Sequence, residues 1–251
     1  MGPLGTALRL KSPGVIAVAG SGGKTSLLQT LAAELAAHGQ MAVLSPTTHI
    51  YPPPARLCGP AWLWGNGAPS LDEINARLKP GKVIAVAQKS TSQGKLKGLS
   101  PEQVDVLAGS GAWILVEADG AARKPLKAWA PHEPAWPGKE MQRLVLLGAK
   151  ALGKPLTPQL VHRPEEFARA AGMSLGDRIT PQALARVLLG PAGPFGKPPP
   201  AMDWCLVINQ IDAASPDLVE SLIVELQSGA GSWLRILKGR IRWGDLEGVD
   251  S

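Results

Sequence analysis

The sequence predicts an α/β fold: a mostly parallel sheet with helices on both faces and a small helical insertion. Three observations lead there. Short apolar runs ("VIAVA", "MAVLS", "KVIAVAQ", "AWILV", "RLVLL", "WCLVIN") alternate with helical patterns along the chain. The first run passes through a glycine-rich turn straight into a helical stretch. Polar clusters follow four of the runs, and in open parallel sheets ligands bind at the carboxyl ends of strands. The 251 residues suffice for a single domain, 1–251, with a helical subdomain at 157–190.

The elements follow in order. A strand over Gly14–Ala19 leads to a helix over Thr25–Ala37, whose stripe is Leu27, Leu28, Leu31 and Leu35 and whose stop signal is Gly39. Met41–Ser45 is a second buried strand, and "PTTHIYPPPARLCGP" is too rich in turn residues to be regular. A short helix at Asp72–Leu78 precedes a strand at Lys82–Gln88. "STSQGKLKGLS" reads as a flexible loop, ending where Ser100 caps and Pro101 begins a helix. Strands at Ala112–Val116 and Arg143–Leu147 come next, then helical patterning over Thr157–Leu189 with a Thr-Pro start in "ITPQALARVLLG". The linker Gly190–Asp203 is irregular, "WCLVIN" is the last clear strand, and a helix occupies Asp217–Gln227.

Composition narrows the function classes. Hydrophobic content of 45% with 18% charged describes a soluble protein, and 24 prolines with 29 glycines imply many turns. Net charge is +6, and Glu34 is the sole acid before Asp72, so the glycine-rich turn lies in sequence that favours an anionic ligand. No Lys/Arg run interleaved with aromatics marks a nucleic-acid surface. Cys58 and Cys205 have no metal-ligand spacing and fit a reducing cytoplasm. No run of 18 apolar residues spans a membrane, and no secretory signal is present, so a cytoplasmic location is expected. "MGPLGT" matches a myristoylation pattern formally, but Pro3 and the likeness of this start to a tag-cleavage scar discount it.

The four clusters carry the chemistry. In "GSGGKTS" (Gly20, Ser21, Gly22, Gly23, Lys24, Thr25, Ser26), backbone N–H groups entering a helix N-terminus make an anion nest. Lys24 would reach the β/γ-phosphates of a nucleotide and Thr25 would bind Mg²⁺. The phosphate-loop pattern G-x-x-x-x-G-K-[ST] fails only at Val18, and the shorter G-x-x-G-K-T run after an apolar strand resembles the ATP loop of Mur ligases. "TTH" (Thr47, Thr48, His49) offers hydroxyls to Mg²⁺ or the γ-phosphate, or is a turn with hydroxyl–backbone bonds. Glu117 and Asp119 of "EADG" alternate onto one side of a strand end as one metal-facing pair, the second acid adding a general base, or are two solvated acids at a strand exit. Arg123, Lys124 and Lys127 either grip a second anion or are solvated. In "VINQID", Asn209 and Asp212 resemble the guanine-reading N-K-x-D, with Gln210 in place of lysine; Asn209 can face the base or brace the loop, and Asp212 can instead cap a turn.

Together "VAGSGGKTSLL", "TTHIYPP", "LVEADGAARKPLKAWAPHEP", "ALGKPL", "VHRPEE" and "VINQID" resemble the YqeC family of selenium-dependent hydroxylase accessory proteins, from about Val15 to Asp212. The resemblance implies a P-loop-type nucleotide-binding fold. It also implies a role in maturing a selenium-dependent molybdenum hydroxylase or its molybdopterin cofactor. It places emphasis on Lys24, Thr25, Thr47, Thr48, His49, Glu117, Asp119, Lys124, Lys127, His132, Glu133, His162 and Arg163. The expectation is an Mg²⁺-dependent ATP- or GTP-binding protein, an NTPase or phosphoryl-transfer enzyme. Its rivals are a cofactor carrier or assembly chaperone that uses nucleotide as a switch, and a Mur-like ATP-dependent ligase.

Overall fold

The computed structural model describes residues 1–65, 69–196 and 203–249, so residues 197–202 of the expected linker lie outside it. The chain is α/β, with mostly parallel strand pairings, and divides into two compact units. The first comprises Met1–Val18, Thr25–Gly120 and Ala135–Gln142; the second comprises Ala19–Lys24, Ala121–Pro134 and Arg143–Ser251.

In the first unit the main strands are β1 (Val15–Gly20, continuing into the second unit), β2 (Ala42–Pro46), β3 (Trp62–Leu63), β4 (Val83–Ala87) and β5 (Trp113–Glu117), ordered β1-β5-β2-β4-β3. All their pairings are parallel. Helices α1 (Pro3–Ala7), α2 (Lys24–Ala37), α3 (Leu71–Arg77) and α4 (Pro101–Leu107) intervene. Val15, Ala17, Val43, Ile114 and Val116 on one sheet face pack with Ile74, Val104 and Leu107 of α3 and α4. The alternate residues Leu44 and Leu115 border a small cavity together with Leu28 of α2, which lies on the opposite face. Sequence signals fix the helix ends: Gly39 (φ 73°) follows α2, Ser70 and Glu73 form a capping box on α3, and Ser100 with Gln103 forms one on α4 beginning at Pro101.

Three expectations for this unit are corrected. The start is packed: Leu4 and Leu8 are fully buried, and the Glu34 carboxylate accepts from the N–H groups of Leu4 (2.9 Å) and Gly5 (2.8 Å). The proline-rich segment contributes a two-residue strand, His49–Ile50, paired with Leu96–Lys97. The polar segment after it is an ordered hairpin, Lys89–Ser90 against Leu96–Lys97. Strands this short show no period for a sequence reading to detect.

In the second unit β6 (Glu140–Gly148, beginning in the first unit), β7 (Asp203–Asn209), β8 (Leu234–Arg240) and β9 (Asp245–Gly248) lie in that order. β7 and β8 are parallel, joined through α7 (Pro216–Ala230), whereas β8 and β9 are antiparallel. The helical stretch resolves into α5 (Pro164–Ala171) and α6 (Pro181–Leu189), with the Thr180 hydroxyl accepting from Ala183 N at 3.2 Å as the Thr-Pro start implied. Strands after "WCLVIN" were not expected. β8 is "LRILKGR", whose apolar residues are diluted by Arg235, Lys238 and Arg240. Those cations pair with Asp203, Glu220 and Asp245, none of which a local pattern reveals.

Candidate functional site

In the first unit, parallel register brings polar residues to the carboxyl ends of β1, β5 and β2. Glu117, the last residue of β5, is aligned with Val18 on one side and Pro46 on the other. Thr25 Oγ1 donates to Glu117 Oε2 at 2.8 Å, joining positions 92 apart in sequence. These two border a cavity of about 20 Å³ with Gln29, Ile50 and Pro53, room for about one water. Thr47 N donates to Glu117 O at 2.9 Å, and its hydroxyl lies 3.1 Å from Ala135 O, so Thr47 bonds to backbone. Asp119 is 1% exposed, Thr48 is half-buried, and His49 and Ser26 are exposed.

The second unit holds the glycine-rich loop, Gly20 to Lys24. Gly20 (φ 91°) cannot be replaced, because a Cβ there would lie 2.1 Å from Leu146 O. At Gly23 (φ 139°) a Cβ would lie 2.5 Å from Asn209 Nδ2. Lys24 is buried and folds over its own loop, its Nζ donating to Gly20 O at 2.6 Å. Helix α2 begins at Lys24, so the N–H groups of its first turn have no partner within the helix and carry the positive end of its dipole.

Struts from distant sequence hold the loop. Ser21 N donates to Leu146 O (2.8 Å) and Ser21 Oγ to Pro125 O (2.9 Å). Gly22 N donates to Lys124 O at 3.1 Å. Asn209, at the end of β7, donates from Nδ2 to Gly22 O (2.7 Å) and accepts at Oδ1 from Ile241 N (3.0 Å). Of the two roles open to Asn209, its amide takes that of a brace in this geometry. Asn209→Ala is therefore expected to lower stability by about 1–3 kcal/mol, the cost of orphaning buried polar groups. An unchanged urea midpoint would show that the brace contributes nothing. Asp212 is exposed and paired with Arg242 (3.0 Å).

The segment after Asp119 explains why Lys124 and Pro125 can offer their carbonyls. Ala122 (φ 46°) and Arg123 (φ 59°) are consecutive left-handed residues without being glycine. Each costs about 1–2 kcal/mol, so surrounding structure must hold the turn. Gln210 (φ 63°), beside Asn209, and Arg163 (φ 59°) share the conformation. Beyond the turn, Leu126–Lys127 pairs in parallel with Val161–His162. Lys127 is not a solvated lysine: its side chain is fully buried, and Nζ donates to Glu133 Oε2 at 2.9 Å. Arg163 Nη1 reaches the same oxygen at 2.5 Å. Burial opposes ionisation of Glu133, but hydrogen bonds from Arg163 and Lys127 outweigh it and lower its pKa to about 2. His132 is exposed, while Lys124 and His162 are half-buried.

Sequence reading missed Pro125, Leu146 and Ile241 as struts of the loop, and no local signal marks them. Among the described residues no three His, Cys, Asp or Glu side chains cluster to hold a metal. Thr25 and Glu117 are hard oxygen donors of the kind that hold Mg²⁺ through one or two protein ligands plus ligand phosphates. Among the described residues, no helix is long and apolar enough to cross a membrane.

These features define an α/β protein with a braced glycine-rich loop between its first sheet strand and the helix that follows. A family model described as YqeC protein matches residues 16–165. The protein of Escherichia coli (strain K12) titled "Uncharacterized protein YqeC" is 31% identical over 222 residues, covering 86% of this chain and 83% of that one. The chain belongs to the YqeC family. No solved structure matches it.

Proposed function

We propose that the chain binds a magnesium–nucleoside triphosphate through Gly20–Thr25. The observation that carries the reading is the buried Lys24 ammonium, held 2.6 Å from a carbonyl of its own glycine loop at the N-terminus of a helix. A bound phosphate oxygen would compete with that carbonyl for the same cation. Lys24 would neutralise the β/γ-phosphates, and the helix N–H groups would bind their oxygens. Thr25, next in the chain, would bind Mg²⁺ with Glu117, and Asp119 would serve as general base. In hydrolysis, water attacks the γ-phosphorus, the bond to the β–γ bridging oxygen breaks, and NDP leaves. The biological role in this reading is maturation of a selenium-dependent molybdenum hydroxylase or its molybdopterin cofactor, the role that the family resemblance implies.

Calorimetric titration with ATP, GTP and CTP in Mg²⁺ tests the binding. Saturable, Mg²⁺-dependent binding of at least one is expected, and heat-silent titrations with all three would overturn the assignment. Phosphorus NMR of the products then separates the roles. NDP and phosphate alone fit an NTPase or a nucleotide-switched chaperone, whereas a phosphorylated acceptor identifies a transferase.

A further inference from the structure

We propose that the turn Ile241–Trp243 forms the base-side wall of the nucleotide site, with the Trp243 indole as the platform on which the nucleobase stacks. This rests on the reading of Gly20–Lys24 as the phosphate-holding segment, and a continuous set of contacts leads from one to the other. Gly22 O accepts from Asn209 Nδ2, and Asn209 Oδ1 accepts from Ile241 N. The Ile241 side chain faces the loop as well, since a Cβ on Gly23 would lie 3.7 Å from its Cδ1. Ile241 is fully buried, yet two residues later Trp243 is 66% exposed, more than any other large apolar side chain described.

Such exposure leaves a large apolar surface in water. The Arg242 guanidinium sits 5.2 Å from the centroid of the Trp243 ring. Arg242 is itself tethered, donating from Nη2 to Asp212 Oδ2 at 3.0 Å. The cation lies over the indole at 5.2 Å, and with the ring 66% exposed, apolar surface remains for a flat partner. Asp212 and Asn209 belong to the same "NQID" turn, so one short segment both braces the loop and anchors the platform. An aromatic ring held in this way, a short turn away from an anion nest, suits a ligand that carries a flat heteroaromatic group on a polyphosphate. Stacking accepts any base, so the ligand class is the nucleoside triphosphates as against inorganic polyphosphate.

The test compares MgATP, MgGTP and magnesium tripolyphosphate by calorimetry on the full chain and on Trp243→Ala. Base–aromatic stacking predicts roughly a 5- to 150-fold loss of nucleotide affinity in the variant, with tripolyphosphate affinity unchanged. Trp243→Phe should recover most of the loss. Equal nucleotide affinity in wild type and Trp243→Ala overturns the platform, as does an equal loss for nucleotide and tripolyphosphate, which would mean damage to the loop. Binding of tripolyphosphate as tightly as nucleotide by the wild type overturns it too. A wild type that binds none of the three overturns the phosphate-loop reading first, and the platform with it.

Discussion

Glu133→Ala is expected to destabilise the protein by about 3–5 kcal/mol, the range for breaking a buried ion pair by removing one partner. The Lys127 side chain is 0% exposed and that of Glu133 is 12% exposed, so the variant takes the carboxylate from an ammonium held away from water. Arg163 is 24% exposed and can turn outward, which is why Arg163→Ala should cost less. An exposed pair such as Arg242–Asp212 is worth about 1 kcal/mol at most. The measurement is urea unfolding at neutral pH, and a midpoint matching the wild type would refute the prediction. The acid limb supplies an independent check. The folded carboxyl titrates at about 2, below its ordinary 4.5, so its contribution is complete above the ordinary value and is lost as pH falls towards 2. Glu133→Ala should flatten stability against pH across that window.

The triad also bears on the candidate site. It ties Lys127 and Glu133 to Arg163 at the start of α5, and the parallel pair Leu126–Lys127 and Val161–His162 runs beside it. That pair begins one residue after Pro125, whose carbonyl accepts from Ser21 Oγ. The segments "EADGAARKPLKA" and "VHRPEE" thus read physically as the mount of the glycine loop. Its left-handed turn at Ala122–Arg123 is held by the structure around it rather than by its own residue types.

How much of this was legible follows from the range of each signal. The glycine loop, the capped helices at Ser100 and Thr180, and the buried strands announce themselves within a few residues, and all are present. Residues at strand ends were found because parallel strands place their carboxyl ends together. The partners of those residues were not legible. Thr25 meets Glu117 across 92 positions, Ser21 meets Pro125 across 104, and Asn209 meets Gly22 across 187. β8 escaped for a related reason, since its cations read as solvated until their partners Asp203 and Glu220 are placed. The strained turn escaped because Ala122 and Arg123 lack the glycine or asparagine that usually marks a positive φ.

Lys24→Ala is expected to weaken binding of the magnesium–nucleoside triphosphate by roughly 25- to 4,000-fold. Truncating one member of a buried, hydrogen-bonded charge pair costs about 2–5 kcal/mol in binding, and each 1.4 kcal/mol is tenfold. Lys24 is 4% exposed and hydrogen-bonded to Gly20 O, and a bound phosphate would make it one member of such a pair. The loop has other holds besides the lysine. Gly20 is fixed by its approach to Leu146, Ser21 by Leu146 O and Pro125 O, and Gly22 by Lys124 O and Asn209. Thermal unfolding of the variant should therefore still be cooperative, with a midpoint lowered by no more than the loss of one buried hydrogen bond, about 1–3 kcal/mol, while nucleotide affinity falls. A variant that binds nucleotide as tightly as the wild type would mean that the ammonium serves only to close its loop, and the anion nest would lose its cation.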